Sequence, residues 1–201
     1  MKIASILPYK ENYTSKNAGA VSLWVSDFMK YSSYKNSITV FGNTKAKKYL
    51  SKNYVNINLK SINSKISSST KEYTTNIIKN LTKNHFDIVE IHNRPIMVED
   101  FVKNINSKII LYLHNDPKTM KGSKSKNEKL FLLENVDKIV FISNWVKKQF
   151  FLNLEFNDHN KAEVIYHSID PIKKISKKKK QIIFVGKLNE AKGYDLFCDA
   201  V

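Results

Sequence analysis

The sequence has a single cysteine and no long apolar run, and each scarcity excludes a class of protein. A single cysteine, Cys198, excludes an internal disulfide framework and any zinc site built from several cysteines, and it favours a reducing compartment. No window of about 18 apolar residues occurs, so the sequence predicts no membrane-spanning helix. The apolar start at residues 1–8 is too short for a signal peptide. We therefore expect a cytoplasmic protein.

Basic residues are in large excess over acidic ones. There are 34 lysines and arginines against 18 acidic residues, a formal net charge of +16, and Arg94 is the only arginine. Such a charge favours nucleic acid, an acidic membrane surface or a phosphate-bearing substrate as the partner. An AT-rich coding bias toward lysine would explain part of the excess. The four lysines at 177–180 have no interleaved aromatic residue, so we expect a solvated linker there and no nucleic-acid partner.

Short apolar runs alternate with helical patterns along most of the chain, which indicates crossover connections and a parallel sheet with helices on both faces. The predicted strands cover residues 3–7, 37–41, 55–59, 87–91, 108–113, 138–142 and 163–166. The predicted helices cover residues 20–31, 46–50, 72–84, 96–104, 126–133 and 144–152, and residues 61–70 are predicted to be a loop. In such a sheet, ligands bind at the carboxyl ends of the strands.

The same patterns predict a division into domains. Residues 1–170 form the Rossmann-like domain, residues 171–180 a lysine-rich linker, and residues 181–201 the opening strand and helix of a second domain. The strand is predicted over 181–185 and the helix from near Gly193. Because this second unit is not completed, we expect the chain to be truncated.

Polar residues follow two predicted strands at the ligand-binding edge. His92 and Arg94 follow the strand at 87–91, either as a polar lip for an anionic or hydroxylated ligand or as a turn in which Arg94 pairs with Glu99 or Asp100. His114 and Asp116 follow the strand at 108–113, either as a general-base pair or as structural residues.

Two segments suit phosphate. Gly19 stands at the start of a predicted helix, where free amides favour negative charge, although it equally suits a loop end. Gly186, Lys187 and Lys192 lie in a turn between the predicted strand and helix of the second unit, where the two lysines are placed to hold a diphosphate. The spacing is not that of a Walker A loop, and the G-x-G-x-x-G dinucleotide fingerprint is also absent after the first strand.

Segments spread over nearly the whole chain resemble the retaining GT-B glycosyltransferases of family 4. The turn at 185–193 resembles the Gly-Arg-Leu…Lys-Gly opening of their second domain, with Lys187 in place of arginine. Gly19 with Ala20 resembles their glycine-rich first loop. The other matching segments are D-I-V-E-I-H at 87–92, H-N-D at 114–116, V-F-I-S at 140–143 and V-I-Y-H-S-I-D at 164–170.

The resemblance implies transfer of a sugar, with retention and without a metal or cofactor, from a nucleotide sugar to a glycan or lipid-linked acceptor in surface polysaccharide synthesis. It implies that Gly19, Gly186, Lys187 and Lys192 bind the donor diphosphate and that His114 faces the transferred sugar. His92, Arg94 and Asp116 would line the acceptor side.

The resemblance also sets limits and leaves rivals. The family's E-x7-E motif lies farther along than Val201, so we expect the chain to be inactive on its own. The rivals are a GT-B sugar-nucleotide 2-epimerase and a non-enzymatic basic protein that binds nucleic acid or membrane. Peripheral contact of the basic loop at 118–126 with an anionic membrane is a further expectation.

Overall fold

The structure is a computed structural model that describes residues 1–59, 68–169, 179–186 and 188–201. The chain divides into two compact units, Met1–Ser168 and Ile169–Val201, which are described separately. Most of the predicted linker and Lys187 lie outside the described residues.

The first unit is a single parallel sheet of seven strands in the order β3-β2-β1-β4-β5-β6-β7. The strands are β1 (Ile3–Ile6), β2 (Ile38–Gly42), β3 (Tyr54–Asn56), β4 (Ile88–His92), β5 (Lys108–Leu113), β6 (Lys138–Phe141) and β7 (Ala162–Val164). The helices are α1 (Ala20–Tyr31), α2 (Ser69–Lys83), α3 (Val98–Asn104), α4 (Lys126–Asn135) and α5 (Asn144–Phe151). The predicted Rossmann-like α/β class is confirmed.

The central strands are apolar runs because helices cover both faces of the sheet. All four residues of β1 are buried, and the strand lies between β2 and β4. One apolar cluster, centred on Ile91, Leu111 and Phe141, fills one face. A smaller cluster on the other face contains Val21 and Val25 of α1. The sheet is therefore held by packing on both sides, as the alternation of elements predicts.

Four local predictions in the first unit are wrong in detail. No helix forms over 46–50, because tertiary contacts override its propensity: the Leu50 amide donates to the Tyr13 carbonyl at 3.2 Å. The strand predicted over 55–59 is only Tyr54–Asn56, and the one over 163–166 is Ala162–Val164. Helix α2 begins earlier than predicted because the Ser68 hydroxyl accepts from the Lys71 amide at 3.2 Å.

The second unit contains a 3-10 turn at Glu190–Lys192 and helix α6 (Tyr194–Ala200). Gly193 joins them with a φ of 69°, which glycine adopts without strain, and the helix starts where the sequence predicts it. The strand predicted over 181–185 is not formed among the described residues of this unit. Its apolar side chains are exposed, 74% for Ile182 and 90% for Val185, whereas a strand needs a paired neighbour and a covered face.

Candidate functional site

Three histidines lie in a row at the carboxyl edge of the sheet. His92 Nδ1 is 3.1 Å from His114 Nε2, and His114 Nδ1 is 3.1 Å from His167 Nε2. At the other end of the row, His92 Nε2 is 2.9 Å from the Ser5 hydroxyl of β1. We call Ser5, His92, His114 and His167 the histidine chain. It runs from the interior of the sheet, where His92 is fully buried, to the exposed His167.

The ends of β4 and β5 hold the first two histidines together. His92 is the last residue of β4, and Asn93 then takes the left-handed conformation, with a φ of 56°, so that the chain turns sharply. The Asn93 amide donates to the Tyr112 carbonyl at 2.7 Å, and its side-chain oxygen accepts from the His114 amide at 3.2 Å. These two bonds fix the position of His114 relative to His92.

Aromatic rings cover the histidine chain. Trp24 of α1 lies beside all three imidazoles, with ring centroids 5.5 Å from His92, 5.3 Å from His114 and 5.5 Å from His167. Tyr112 stacks on His92 at 4.6 Å. Because these rings exclude water from most of the histidine chain, the hydrogen bonds between its members lie in surroundings of low dielectric.

A buried carboxylate stands at the inner end of the chain. Glu90 Oε2 is 3.8 Å from His92 Nε2, and Glu90 is only 7% exposed. The Tyr112 hydroxyl donates to Glu90 Oε1 at 3.5 Å. Burial, followed by the charge of Glu90, raises the pKa of Tyr112 well above its usual range, so Tyr112 stays a donor.

The outer two histidines are uncharged at neutral pH. Burial, with a contribution from His92 and His167, lowers the pKa of His114 to about 2. Burial, followed by His92, also lowers the pKa of His167. Because the rings hydrogen-bond in a row, their nitrogens do not converge on one point. Among the described residues, no group of three or more ligating side chains is arranged so that it could hold a metal ion. The arrangement is suited to hydrogen bonding and proton movement rather than to metal ligation.

Two charged residues close to the histidine chain in sequence, Arg94 and Asp116, have different surroundings. The Arg94 guanidinium donates to the Asn93 carbonyl at 3.0 Å and lies 5.6 Å from the Tyr9 ring centre, while Glu99 pairs with Lys103. Arg94 is half-buried, two residues beyond the histidine that ends β4. Asp116, in contrast, accepts from the Lys118 amide at 3.0 Å and caps a 3-10 turn. Both ring nitrogens of His114 bond to histidines, so the structure does not pair His114 with Asp116.

Gly19 is the N-cap of α1, as its position before a helix predicts. The Glu11 carboxylate lies against its α-carbon and is 3.4 Å from the Ser22 amide. The first turn of α1 therefore already holds a negative charge from the chain itself.

The proposed diphosphate residues of the second unit are only partly described. Lys192 ends the 3-10 turn and is exposed, and Gly186 lies beside the Phe184 ring, which packs against Tyr194 at 5.3 Å. Lys187 lies outside the described residues.

Four residues of the site were not predicted from the sequence: Ser5, Trp24, Glu90 and His167. Ser5 and Glu90 are polar residues inside apolar strands, opposite each other in the β1–β4 register, and that is a signal a sequence can show. His167 appeared only as part of a matching segment. Its approach to His114 depends on the path of residues 165–167, for which the sequence carries no signal.

No family model matches the chain. Among curated proteins it is similar to "Putative glycosyltransferase YtcC" of Bacillus subtilis (strain 168), with 26% identity over 219 residues, covering 96% of this chain and 50% of that protein. The chain thus spans about half the length of the curated relative it matches.

Solved structures share the fold at low sequence identity. Anabaena HepE (Alr3699) in complex with UDP-glucose matches with a TM-score of 0.57 at 12% identity, covering 85% of this chain and 44% of HepE. Sucrose-phosphate synthase from Thermosynechococcus elongatus matches with a TM-score of 0.56 at 10% identity, covering 82% and 47%. A UDP-N-acetylglucosamine 2-epimerase matches with a TM-score of 0.50 at 9% identity, covering 81% and 47%. These neighbours show the fold, that of the GT-B glycosyltransferases.

None of the helices in the described part of the chain combines the length and the apolar character that crossing a bilayer requires.

Proposed function

We propose that the chain supplies the acceptor-side half of a glycosyltransferase, which moves a sugar from a nucleotide sugar to a glycan or lipid-linked acceptor. The observation that carries the proposal is the histidine chain with Arg94, at the carboxyl ends of β4 and β5 in a GT-B-type sheet. Parallel sheets bind their ligands at this edge. The similarity to YtcC and the UDP-glucose bound by HepE support a nucleotide sugar as the donor.

In this proposal the acceptor-side residues act by hydrogen bonding. Arg94 binds an anionic or hydroxylated group of the acceptor, and His92 and His114 hold the polar edge in place. Asp116 orders the loop beside it through its 3-10 turn. Because both nitrogens of His114 are occupied, its part in sugar binding is to position His167.

The donor side of the proposal rests on Gly19, Gly186, Lys187 and Lys192. Lysines near the diphosphate would neutralise the charge that develops as the nucleoside diphosphate leaves. With two cations in that role, the proposal requires no metal, and it places the transfer in surface polysaccharide synthesis with retention at the anomeric carbon.

Binding to the chain itself tests the acceptor half. Isotope-labelled protein is titrated with monosaccharides, oligosaccharides and UDP-glucose, and the NMR shifts of Arg94, His114 and His167 are followed. We expect selective shifts at this edge, weakened by Arg94→Gln and unchanged by the matched surface variant Lys103→Gln. Saturable binding of RNA or anionic vesicles, with no response to any sugar or nucleotide sugar, would contradict the proposal.

A 2-epimerase is the second candidate, because an epimerase shares the fold at a TM-score of 0.50. The two activities differ in their products. A transferase forms a new glycoside and frees the nucleoside diphosphate, whereas an epimerase yields a nucleotide sugar inverted at C2. Product NMR after incubation with UDP-glucose or UDP-N-acetylglucosamine and a sugar acceptor separates them, with a protein that joins this chain to the other half of the fold as the enzyme.

A further inference from the structure

The tautomers of the three histidines are coupled. Each hydrogen bond between two imidazoles needs one N–H and one bare nitrogen. His114 uses Nε2 toward His92 and Nδ1 toward His167. When each ring carries one proton, a donor at one nitrogen of His114 leaves the other bare, so both bonds point the same way along the chain. Only two proton arrangements therefore satisfy all three rings, and one is the reverse of the other.

The inner end of the chain selects between these arrangements. The Glu90 carboxylate, 3.8 Å from His92 Nε2, accepts hydrogen bonds but does not donate them, and it attracts a proton to that nitrogen. The Ser5 hydroxyl, 2.9 Å from the same nitrogen, can accept its N–H. A proton on Nε2 leaves His92 Nδ1 bare, so His114 donates to it from Nε2. His114 Nδ1 is then bare and accepts from His167 Nε2.

The selected arrangement leaves a defined group at the exposed end. His167 Nε2 is engaged by His114, so Nδ1 is the nitrogen available to a ligand. A bare imidazole nitrogen accepts from O–H and N–H groups but not from phosphate oxygens, which are themselves acceptors. Trp24, 5.5 Å from the His167 ring, adds an apolar surface beside it. A ligand that fits this pair of groups has a hydroxyl that donates to His167 and a surface that packs on Trp24, and a sugar has both.

We propose that Glu90 and Ser5 fix the tautomers of all three histidines, so that His167 presents an unprotonated Nδ1 that accepts a hydrogen bond from a sugar hydroxyl. This inference rests on the proposed function for the identity of the ligand, but not for the tautomers. His167 is the ligand-contacting residue, and Glu90, Ser5, His92 and His114 are positioning residues.

The groups around the histidine chain agree with this proton arrangement. The groups that face it are Glu90 from β4, Tyr112 from β5 and Trp24 from α1. An extra proton at His167 Nδ1 would break none of the bonds, whereas one at His114 Nδ1 would set two N–H groups against each other. The lowered pKa of His114 agrees with this, because it too means that a second proton on that ring is unfavourable.

Tautomers are measured directly with the whole chain labelled with 15N at histidine. Long-range 1H–15N NMR spectra near neutral pH identify the protonated nitrogen of each ring, and single His→Gln variants assign the signals. We expect His92, His114 and His167 to carry the proton on Nε2, with the exposed His85 as the internal control. A proton on Nδ1 of His167, or an even mixture of the two forms, would overturn the proposal.

Glu90→Gln tests the origin of the selection, because glutamine both donates and accepts. We expect the His167 signal to move toward a mixture of tautomers, while the matched exposed variant Glu163→Gln leaves it unchanged. An unaltered His167 tautomer in folded Glu90→Gln would overturn the role of Glu90. If Glu90→Gln does not fold, His114→Gln replaces it, because it interrupts the histidine chain between His92 and His167. The His167 signal should again move toward a mixture of tautomers, and an unaltered tautomer would overturn the proposal.

Titration with glucose and UDP-glucose tests the ligand. We expect the 15N shift of His167 Nδ1 to move while that of His85 does not. His167→Phe should weaken sugar binding about three- to tenfold, the loss of one hydrogen bond, and His167→Asn should restore part of it. The expected tautomers without a His167 response to either sugar would overturn the ligand assignment alone. Shifts at Arg94, when uniformly labelled protein is titrated with the same two sugars, would then leave the transferase proposal standing.

Discussion

The Glu11 carboxylate occupies the space where Gly19 lacks a side chain. It lies so close to the Gly19 α-carbon that any Cβ there would overlap it, and it is 3.4 Å from the Ser22 amide in the first turn of α1. Free amides at a helix N-terminus attract anions, so Glu11 fills a position that an incoming phosphate would otherwise take. The proposed donor contact of Gly19 therefore competes with a carboxylate of the same chain.

Replacement of Glu11 by Gln is expected to strengthen binding of UDP or inorganic phosphate to the chain by about two- to fivefold. Removing one negative charge from a helix N-terminus changes the electrostatic free energy by about 0.3–1 kcal/mol. Isothermal titration calorimetry measures the change, and Glu134→Gln, at the end of α4, is the control. Weaker binding by Glu11→Gln would show that the carboxylate assists anion binding instead of competing with it.

Glu128 is expected to contribute much more to stability than other surface carboxylates. It accepts from the backbone amides of Gly122 at 3.0 Å, Lys124 at 2.8 Å and Ser125 at 2.8 Å, and so orders the basic loop. Glu128→Ala should lower the free energy of unfolding by about 1–2 kcal/mol. Glu155→Ala breaks only an exposed pair with Lys126, which solvent screens, and should cost clearly less than Glu128→Ala. Urea denaturation of both variants provides the comparison, and equal losses would contradict the expectation.

The architecture was predictable because apolar runs decide it. The predicted ranges 20–31 and 108–113 coincide with α1 and β5, whose buried residues leave one arrangement that covers them. Residues 46–50 have a helical pattern and no helix, because Tyr49 packs on Tyr54 at 4.2 Å and the backbone bonds to Tyr13 instead. Long-range contacts of this kind are invisible to a local pattern.

Only the part of the site that lies at the ends of two adjacent strands could be predicted from the sequence. His92 and His114 follow adjacent strands, so their proximity follows from the alternation of elements. His167 follows β7, which is separated from β5 by β6, and the loop must turn back across the sheet edge to reach His114. The helical spacing puts Trp24 on the same face of α1 as the buried Val25, which would predict a core residue. Trp24 is instead only half-buried and lies beside the three histidine rings.

Trp24 is expected to report on the protonation of the histidine chain. The chain has two tryptophans, and Trp145 is 56% exposed on α5. In Trp145→Phe, all indole emission comes from Trp24, and a protonated imidazole in contact with it quenches that emission. We expect a fall in fluorescence on acidification with a midpoint below the ordinary histidine pKa of about 6.5, because the pKa of His167 is lowered. In Trp24→Phe the emission of Trp145 should stay level, and a level titration of Trp24 would contradict its contact with His167.

Stability is expected to fall as the pH decreases from about 7 to about 5. The pKa values of His114 and His167 are lower in the folded state than the ordinary value near 6.5, so in this window the unfolded chain binds more protons and unfolding becomes more favourable. The carboxylates with lowered pKa values, Asp87, Glu128, Glu155 and Asp158, begin to lose their contribution only as the pH approaches their ordinary values of about 4 and falls below them.

Chemical denaturation at a series of pH values between these limits measures the slope. His114→Gln should flatten it, since glutamine binds no proton in either state, whereas Asn157→Gln on the exposed surface removes no titratable group and should leave it unchanged. A slope that His114→Gln does not alter would mean that the buried ring binds as many protons in the folded protein as in the unfolded chain. A His114 that is cationic in the folded protein would contradict the proton arrangement assigned to the histidine chain, because a cationic His114 cannot accept from His167.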